Sequence, residues 1–307
     1  MIVPSGCVIS GVDVPVWARA MAEAGAPFEL TTDPDRLRLP TRQAPEQALL
    51  DPSGGVVDVD AVRAHLTGLT REALRLEPVE AIDHEAHVST RSGGSRFDAV
   101  LVAAGAGTAA LAAQVGIAVP GELEHHARFT FPVDPGTGWR SWIDLPAAGP
   151  GGSRITPAVA SGGQVVSSQG GRSGRYRGCI GPTVQRGEGA AWASRSRPEL
   201  FGALLSTYQH ASGPGRWAVG GHLDPATTAW EVGRDAATGT AREAVLEYAR
   251  ERLAVEPRIV ETVHCTPTPG LGDGFHVQRA GRVVTVHGEN LFKFAPVLGT
   301  TLAAACL

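Results

Sequence analysis

The chain contains a single lysine. Lys293 stands between Phe292 and Phe294, and every other basic residue among the 27 Lys and Arg is arginine. An ammonium on a restricted stem is a compact point charge suited to a carboxylate, and burying it demands a partner. As a solvated surface residue it would demand nothing. Upstream, Cys265 lies in the run His264-Cys265-Thr266-Pro267-Thr268, where its sulfur is either an inert buried thiol or, as thiolate, a nucleophile. His222 closes the run Arg216 to His222, at what reads as a strand end, where a histidine most often serves structure.

These residues need elements to hold them. From Val260 to Leu307 the chain reads as strand, Gly/Pro loop, strand, tight turn, strand, Gly-containing loop and helix. Arg282 to Val286 is β-branched and bounded by Gly281 and Gly288, which predicts a buried strand. After Gly288 the chain runs through Ala295 to Gly299 into an Ala/Leu-rich helix. A strand that ends in a glycine loop and feeds a helix is where α/β sheets bind ligands.

The rest of the chain supplies further elements. Cys7-Val8-Ile9 reads as a strand and Val14 to Ala24 as an amphipathic helix ended by Gly25. Ser53-Gly54-Gly55 makes a turn before a short strand and a helix from Asp60, capped near Asp58. Short strands follow at Val79 to Ile82 and at His87 to Thr90. Phe97 to Ala104 is continuously apolar, as in a buried parallel sheet, and runs into Gly105-Ala106-Gly107-Thr108 and an Ala-rich helix to Val115. Arg128 to Val133 alternates and predicts an antiparallel strand. Pro225 to Arg234 reads as a loop, and Thr240 to Leu253 as a helix burying Ala241, Val245, Tyr248 and Leu253. From Gly151 to Ser206 the chain is rich in Gly, Ser and Arg without sustained periodicity, and reads as an insertion outside the folded core.

Composition narrows the classes. At 307 residues the chain can bury a large core and hold two domains. A net charge of −4 with scattered arginines argues against a nucleic-acid partner. Cys7, Cys179, Cys265 and Cys306 form no zinc spacing and read as reduced thiols of a cytoplasmic protein. No signal peptide and no apolar run of roughly 18 residues is present, so no membrane span is expected.

The stretch VVTVHGENLFKFAPVLG resembles the C-terminal flavin loop of amine oxidases of the monomeric sarcosine oxidase and N-methyltryptophan oxidase type, within the D-amino-acid oxidase-like group. His264-Cys265-Thr266-Pro267-Thr268 followed by Phe275 has the spacing of that family's segment in which a cysteine sulfur is bonded to the flavin. The resemblance implies an α/β fold: a Rossmann-like FAD domain without its first βαβ unit, and an antiparallel-sheet substrate domain. It places the flavin side at 1–120 and 255–307, and the substrate side at 121–150 and 207–254. The implied cofactor is FAD, held covalently by Cys265 and contacted by Val79, Ala104, Gly105, Gly288 and Phe292. The implied catalytic residues are Lys293, near a substrate carboxylate, and His222. The implied reaction passes a hydride from the C–N bond of a small amine or amino acid to the flavin, after which the imine hydrolyses. No nucleic-acid or membrane partner is implied.

The chain also departs from that family. No GxGxxG fingerprint precedes the first helix, so FAD binding by this chain is expected to be weak or absent. Ala218 stands where the family has a lysine associated with dioxygen reduction. The flavin loop is shorter, and Pro267 replaces a substrate-side tyrosine. A chain that keeps the fold without flavin, as a remnant or partner subunit, is the alternative.

Overall fold

Short β-branched and aromatic runs punctuated by Gly and Pro give short strands here, and alternation decides which face each residue takes. The computed structural model describes residues 2–119, 121–145, 204–267, 275–288 and 291–306. In chain order they form β1 (Ile2–Pro4), β2 (Cys7–Gly11), α1 (Val14–Ala24), β3 (Glu29–Leu30), α2 (Pro34–Leu37), β4 (Ala48–Asp51), β5 (Gly55–Val57) and α3 (Val59–Thr70). Next come β6 (Val79–Ile82), β7 (His87–Thr90), β8 (Gly93–Arg96), β9 (Val100–Val102), α4 (Thr108–Ala113), β10 (His126–Pro132) and β11 (Ser141–Leu145). The chain ends with β12 (Ser206–Ala211), β13 (Arg216–His222), α5 (Pro225–Thr228), α6 (Arg234–Arg252), β14 (Glu261–Cys265), β15 (Phe275–Ala280), β16 (Val283–Gly288) and α7 (Leu291–Cys306). The fold is α/β, as expected.

The chain divides into two units. The first holds 2–61, 124–145 and 204–266 of the described residues, and the second holds the remainder. Residues 2–61 therefore pack with the strands that the sequence assigned to the substrate side. The physical link is β2, which pairs with β11 in parallel.

Unit 1 is built on an eight-stranded sheet in the order β14-β10-β13-β12-β11-β2-β4-β3. Every pairing in it is antiparallel except β11 with β2. Alternation puts Ala127, Phe129 and Phe131 of β10, with Trp217 and Val219 of β13, on one face. They form one core with Ala241, Val245, Tyr248 and Ala249 of α6. Each large side chain buried there contributes about 1.5–3 kcal/mol. On the opposite face, α1 covers β2 and β4 through Val14 against Ile9 and Leu49.

Unit 2 holds a β6-β7-β8 meander and a β15-β16-β9 sheet. β15 and β16 are antiparallel, whereas β16 and β9 run parallel. Gly281 makes the hairpin turn at φ 59°, and a Cβ there would stand 2.5 Å from the His84 carbonyl oxygen. The core of this unit gathers Ile82, Val102, Ala112, Val115, Ile117 and Val283.

Several expectations are corrected. The run from Phe97 yields only three strand residues, because β9 pairs through Val100 to Val102 alone; Phe97 and Leu101 are exposed. The helix expected from Thr240 begins at Arg234, with Asp235 in its first turn, where a carboxylate suits the helix dipole. Pro225 to Arg234 is not all loop, since α5 forms there with Asp224 capping Ala226. Helix α7 begins at Leu291, so Lys293 lies in its first turn rather than in a loop. The predicted insertion lies outside the described residues except for its last three. Leu204 and Ser206 are buried, and Ser206 opens β12.

Candidate functional site

Strand alternation turns the other face of the unit 1 sheet into the chemically richest surface of the described chain. The register sets Cys265 opposite His126 and Val263 opposite Arg128. It also sets Arg128 opposite Gly220, Gly220 opposite Tyr208, and His222 opposite Ser206. Cys265, His126, Arg128, His222, Ser206, Tyr208 and His210 therefore share one face, across from the core aromatics. Gly220 makes the arrangement possible. Tyr208 lies across β13 at this position, and a Cβ on Gly220 would stand 2.1 Å from its ring.

Hydrogen bonds set the state of each group. His126 donates from Nε2 to the Gly221 carbonyl at 3.0 Å, which leaves Nδ1 as a lone pair with no partner among the described residues. Its ring stacks against His222 at 5.4 Å, and Tyr208 lies 5.6 Å away. His222 shares a 2.8 Å hydrogen bond between Nδ1 and the Ser206 hydroxyl. Although part of His222 is exposed, the protein crowded around it and the neighbouring His126 push its pKa down to about 4. Burial, with Arg128 nearby, lowers His126 as well. Burial and the adjacent Cys265 raise the Tyr208 phenol to about 12, so it stays protonated. This face presents uncharged imidazoles, a protonated phenol, the exposed Cys265, the Arg216–Glu261 ion pair and Arg128, which no carboxylate among the described residues pairs with.

Beside this face, a second histidine pair joins β10 to β14. His125 donates from Nε2 to the Trp230 carbonyl at 3.1 Å and stacks on that indole at 4.7 Å. Its Nδ1 then accepts from His264 Nε2 at 3.1 Å. His264 and Cys265 alternate, so the two side chains take opposite sides of β14.

In unit 2, β9 and β16 run parallel, so their carboxyl ends share one edge. Ala104 and Gly105 follow β9 there, and Gly288 ends β16. Gly105 holds φ 55° and Gly288 φ 151°, backbone conformations that favour glycine. Val79 and Ala104 line one apolar cleft of about 280 Å³ together with Leu101 and Leu111. Deeper in β16, Thr285 Oγ1 and both ring nitrogens of His287 are buried without hydrogen bonds. Phe292 and Lys293 follow in the first turn of α7.

Of the sequence-derived positions, Cys265 and His222 thus share the polar face of unit 1. Val79, Ala104, Gly105 and Gly288 gather at the strand ends of unit 2. Sequence reasoning missed His126, Arg128, Tyr208 and His210, which meet only through cross-strand register. The paired glycines before His222 were the one available signal, since glycine within a strand marks a close approach.

No family model matches the chain, and no curated protein matches it in sequence. Solved structures do match in fold. The open form of NikD, an unusual amino acid oxidase essential for nikkomycin biosynthesis, superposes at a TM-score of 0.65 with 17% identity, covering 97% of this chain and 72% of NikD. L-proline dehydrogenase from P. horikoshii gives 0.61 at 13% identity, covering 97% of this chain and 71% of its own. Glycine oxidase from Geobacillus kaustophilus gives 0.57 at 14%, covering 98% and 70%. At these identities the likeness is one of fold: nearly the whole chain follows an architecture shared with amino acid oxidases and a dehydrogenase.

Proposed function

We propose that this chain serves an FAD-dependent oxidoreductase that oxidises the C–N bond of a small amine or amino acid to an imine, in the manner of sarcosine oxidase-type enzymes. The observation that carries this reading is the polar face of the unit 1 sheet. It combines an exposed thiol, neutral imidazoles and an unpaired cation on a fold shared with NikD.

The fit to a flavin is uneven. An exposed Cys265, set opposite His126 by strand register, suits a covalent attachment point, because the thiolate is the reactive form. Ala104, Gly105 and Gly288, with Val79, offer backbone and apolar contacts of the kind a flat ring accepts. The pyrophosphate has no glycine cradle in this sequence, which contains no GxGxxG. The flavin, when bound, would supply the two-electron acceptor. The chain's own residues would do the rest. Neutral His222 and His126 would face the substrate and accept hydrogen bonds from its amine. Tyr208 would donate from its phenol. By the resemblance alone, Lys293 would be a partner for a substrate carboxylate.

The second reading is a chain that keeps the fold and holds no flavin, as a remnant or partner subunit. One preparation separates the two. The chain is purified with excess FAD, desalted, and its absorbance recorded before and after acid precipitation. Stoichiometric flavin that glycine, sarcosine or proline bleaches under anaerobic conditions supports the enzyme. A colourless product supports the second reading. Colour retained by the precipitate identifies a covalent bond, and Cys265→Ser should release it.

A further inference from the structure

The edge of the unit 1 sheet is fastened by two histidines wired in one direction. β14 is the end strand of that sheet and pairs with β10 alone. Its His264 reaches back to His125, the residue before β10, with Nε2 to Nδ1 at 3.1 Å. His125 is 5% exposed and is itself tied to the turn before α6. Its backbone N–H donates to the Thr228 carbonyl at 2.7 Å and its Nε2 to the Trp230 carbonyl at 3.1 Å, while its ring lies on the indole at 4.7 Å. A carbonyl only accepts, so His125 carries its proton on Nε2 and keeps Nδ1 as a lone pair. With both rings neutral, each donor from β14 to the Trp230 turn meets an acceptor.

That wiring holds one extra proton and rejects two. A first proton enters Nδ1 of His264 and leaves the hydrogen bond in place. A second must enter Nδ1 of His125, where it would face the His264 N–H at 3.1 Å, between cationic rings 5.2 Å apart. The charges around the pair oppose this further. Arg234, at the start of α6, acts on His264 as a like charge, and His126 adds to it from β10. Arg242, farther along α6, bonds to Thr262 on β14. Glu124, Glu231 and Asp235 are the nearest acids in sequence, and none hydrogen-bonds to either ring. Partial burial first, then Arg234 and His125, push the His264 pKa below its ordinary value of 6.5. A histidine lowered in this way contributes stability that is complete above its unfolded pKa and is lost as pH falls.

We propose that His125 and His264 form a proton-operated clasp, closed at neutral pH and open in acid, which holds β14 and its Cys265 in place. Cys265 follows His264 directly and takes the other side of the strand, so the clasp secures the element that presents the thiol to the polar face. The clasp goes beyond the oxidoreductase reading and operates whether or not flavin binds.

The test is amide hydrogen exchange of the full chain, resolved by peptide and corrected for the intrinsic pH dependence of exchange, on both sides of pH 6.5. Three proteins are compared. In His264→Gln an amide replaces the Nε2 donor without titrating. His125→Phe keeps a ring on Trp230 and removes the side-chain hydrogen bonds. In the wild type, protection of β14 should fall roughly three- to tenfold in acid, as loss of one hydrogen bond implies, while β12 and β13 keep theirs. His264→Gln should retain β14 protection over the same range, because its amide can turn and accept from a protonated His125. His125→Phe should show the faster exchange of β14 at every pH.

The inference is overturned if wild-type β14 keeps its protection in acid, or loses it together with β12 and β13. It is equally overturned if His264→Gln follows the wild-type pH dependence, or if folded His125→Phe protects β14 as the wild type does at neutral pH. Should His125→Phe not fold, the wild type against His264→Gln decides alone.

Discussion

The two faces of the unit 1 sheet handle buried polar groups in opposite ways. Toward α6, Asp144 accepts from Ser10 Oγ at 2.7 Å, Tyr248 Oη at 2.9 Å and Arg252 Nε at 2.8 Å. Trp142 donates into Ser10, Gln209 into Tyr248, and Trp217 into Gln209. Donor meets acceptor at each step, and the Asp144–Arg252 ion pair is nearly sealed from solvent. On the opposite face Arg128 Nε has no partner, the His126 Nδ1 lone pair stays open and the Cys265 thiol is exposed. A network that closes on itself fixes structure, whereas one with open valences is set to receive something.

The sharpest way to break this contrast is Asp144→Ala. It would remove the buried carboxylate on which Ser10, Tyr248 and Arg252 converge and should cost about 3–5 kcal/mol. Urea denaturation of the full chain measures it; a loss under 1 kcal/mol would mean that the closed network is not what stabilises the sheet.

Lys293→Met asks whether a second open cation exists outside this sheet. In any preparation that retains flavin, it should lower kcat/KM for an amino acid roughly ten- to a hundredfold, as loss of one charge-assisted contact implies. Tm and flavin content should hold. An unchanged rate per flavin would remove Lys293 from the reaction.

Gly220→Ala tests the open face from beneath. A methyl group there must displace the Tyr208 ring, at a stability cost of about 1–3 kcal/mol. Turnover should fall more than stability does. The reverse outcome would make Gly220 a packing residue only.

The smallest effect is a pH dependence. The folded-state pKa of His222 lies near 4, below the ordinary histidine value of 6.5, so the unfolded chain binds more protons between those values. Stability contributed by neutral His222 is complete above pH 6.5 and declines as pH falls toward 4. His126 shifts in the same direction. Denaturation midpoints measured across this window should show a shallower acid slope for His222→Gln than for the wild type. Superimposable slopes would show that His222 titrates as a free imidazole.

Much of the fold was legible without coordinates. The helix Val14 to Ala24 and its Gly25 terminus followed from a 3.6-residue apolar period and a left-handed cap. β6, β7 and β13 were bounded by their own turn residues, and β16 by its β-branched run. These are local properties, set by backbone sterics and by apolar spacing within a few residues. The same locality limited the reading elsewhere. The polar first turn of α6 carried no apolar period, and the long apolar run around β9 carried no sign of where pairing would stop.

The sequence by itself determined which residues could do chemistry, the sole lysine Lys293, Cys265 and His222, and that His222 would close a strand. Tertiary structure alone decided the company they keep. Arg128, Tyr208 and His210 stand on β10 and β12, far apart in the chain, and they meet over Gly220 only because register aligns β10, β13 and β12. A shift of one residue in any of these strands would send its side chains to the opposite face and scatter the cluster. Register is fixed by the aromatic core against α6, on the far side of the sheet, so the packing of Phe129, Trp217 and Tyr248 decides what the open face can bind.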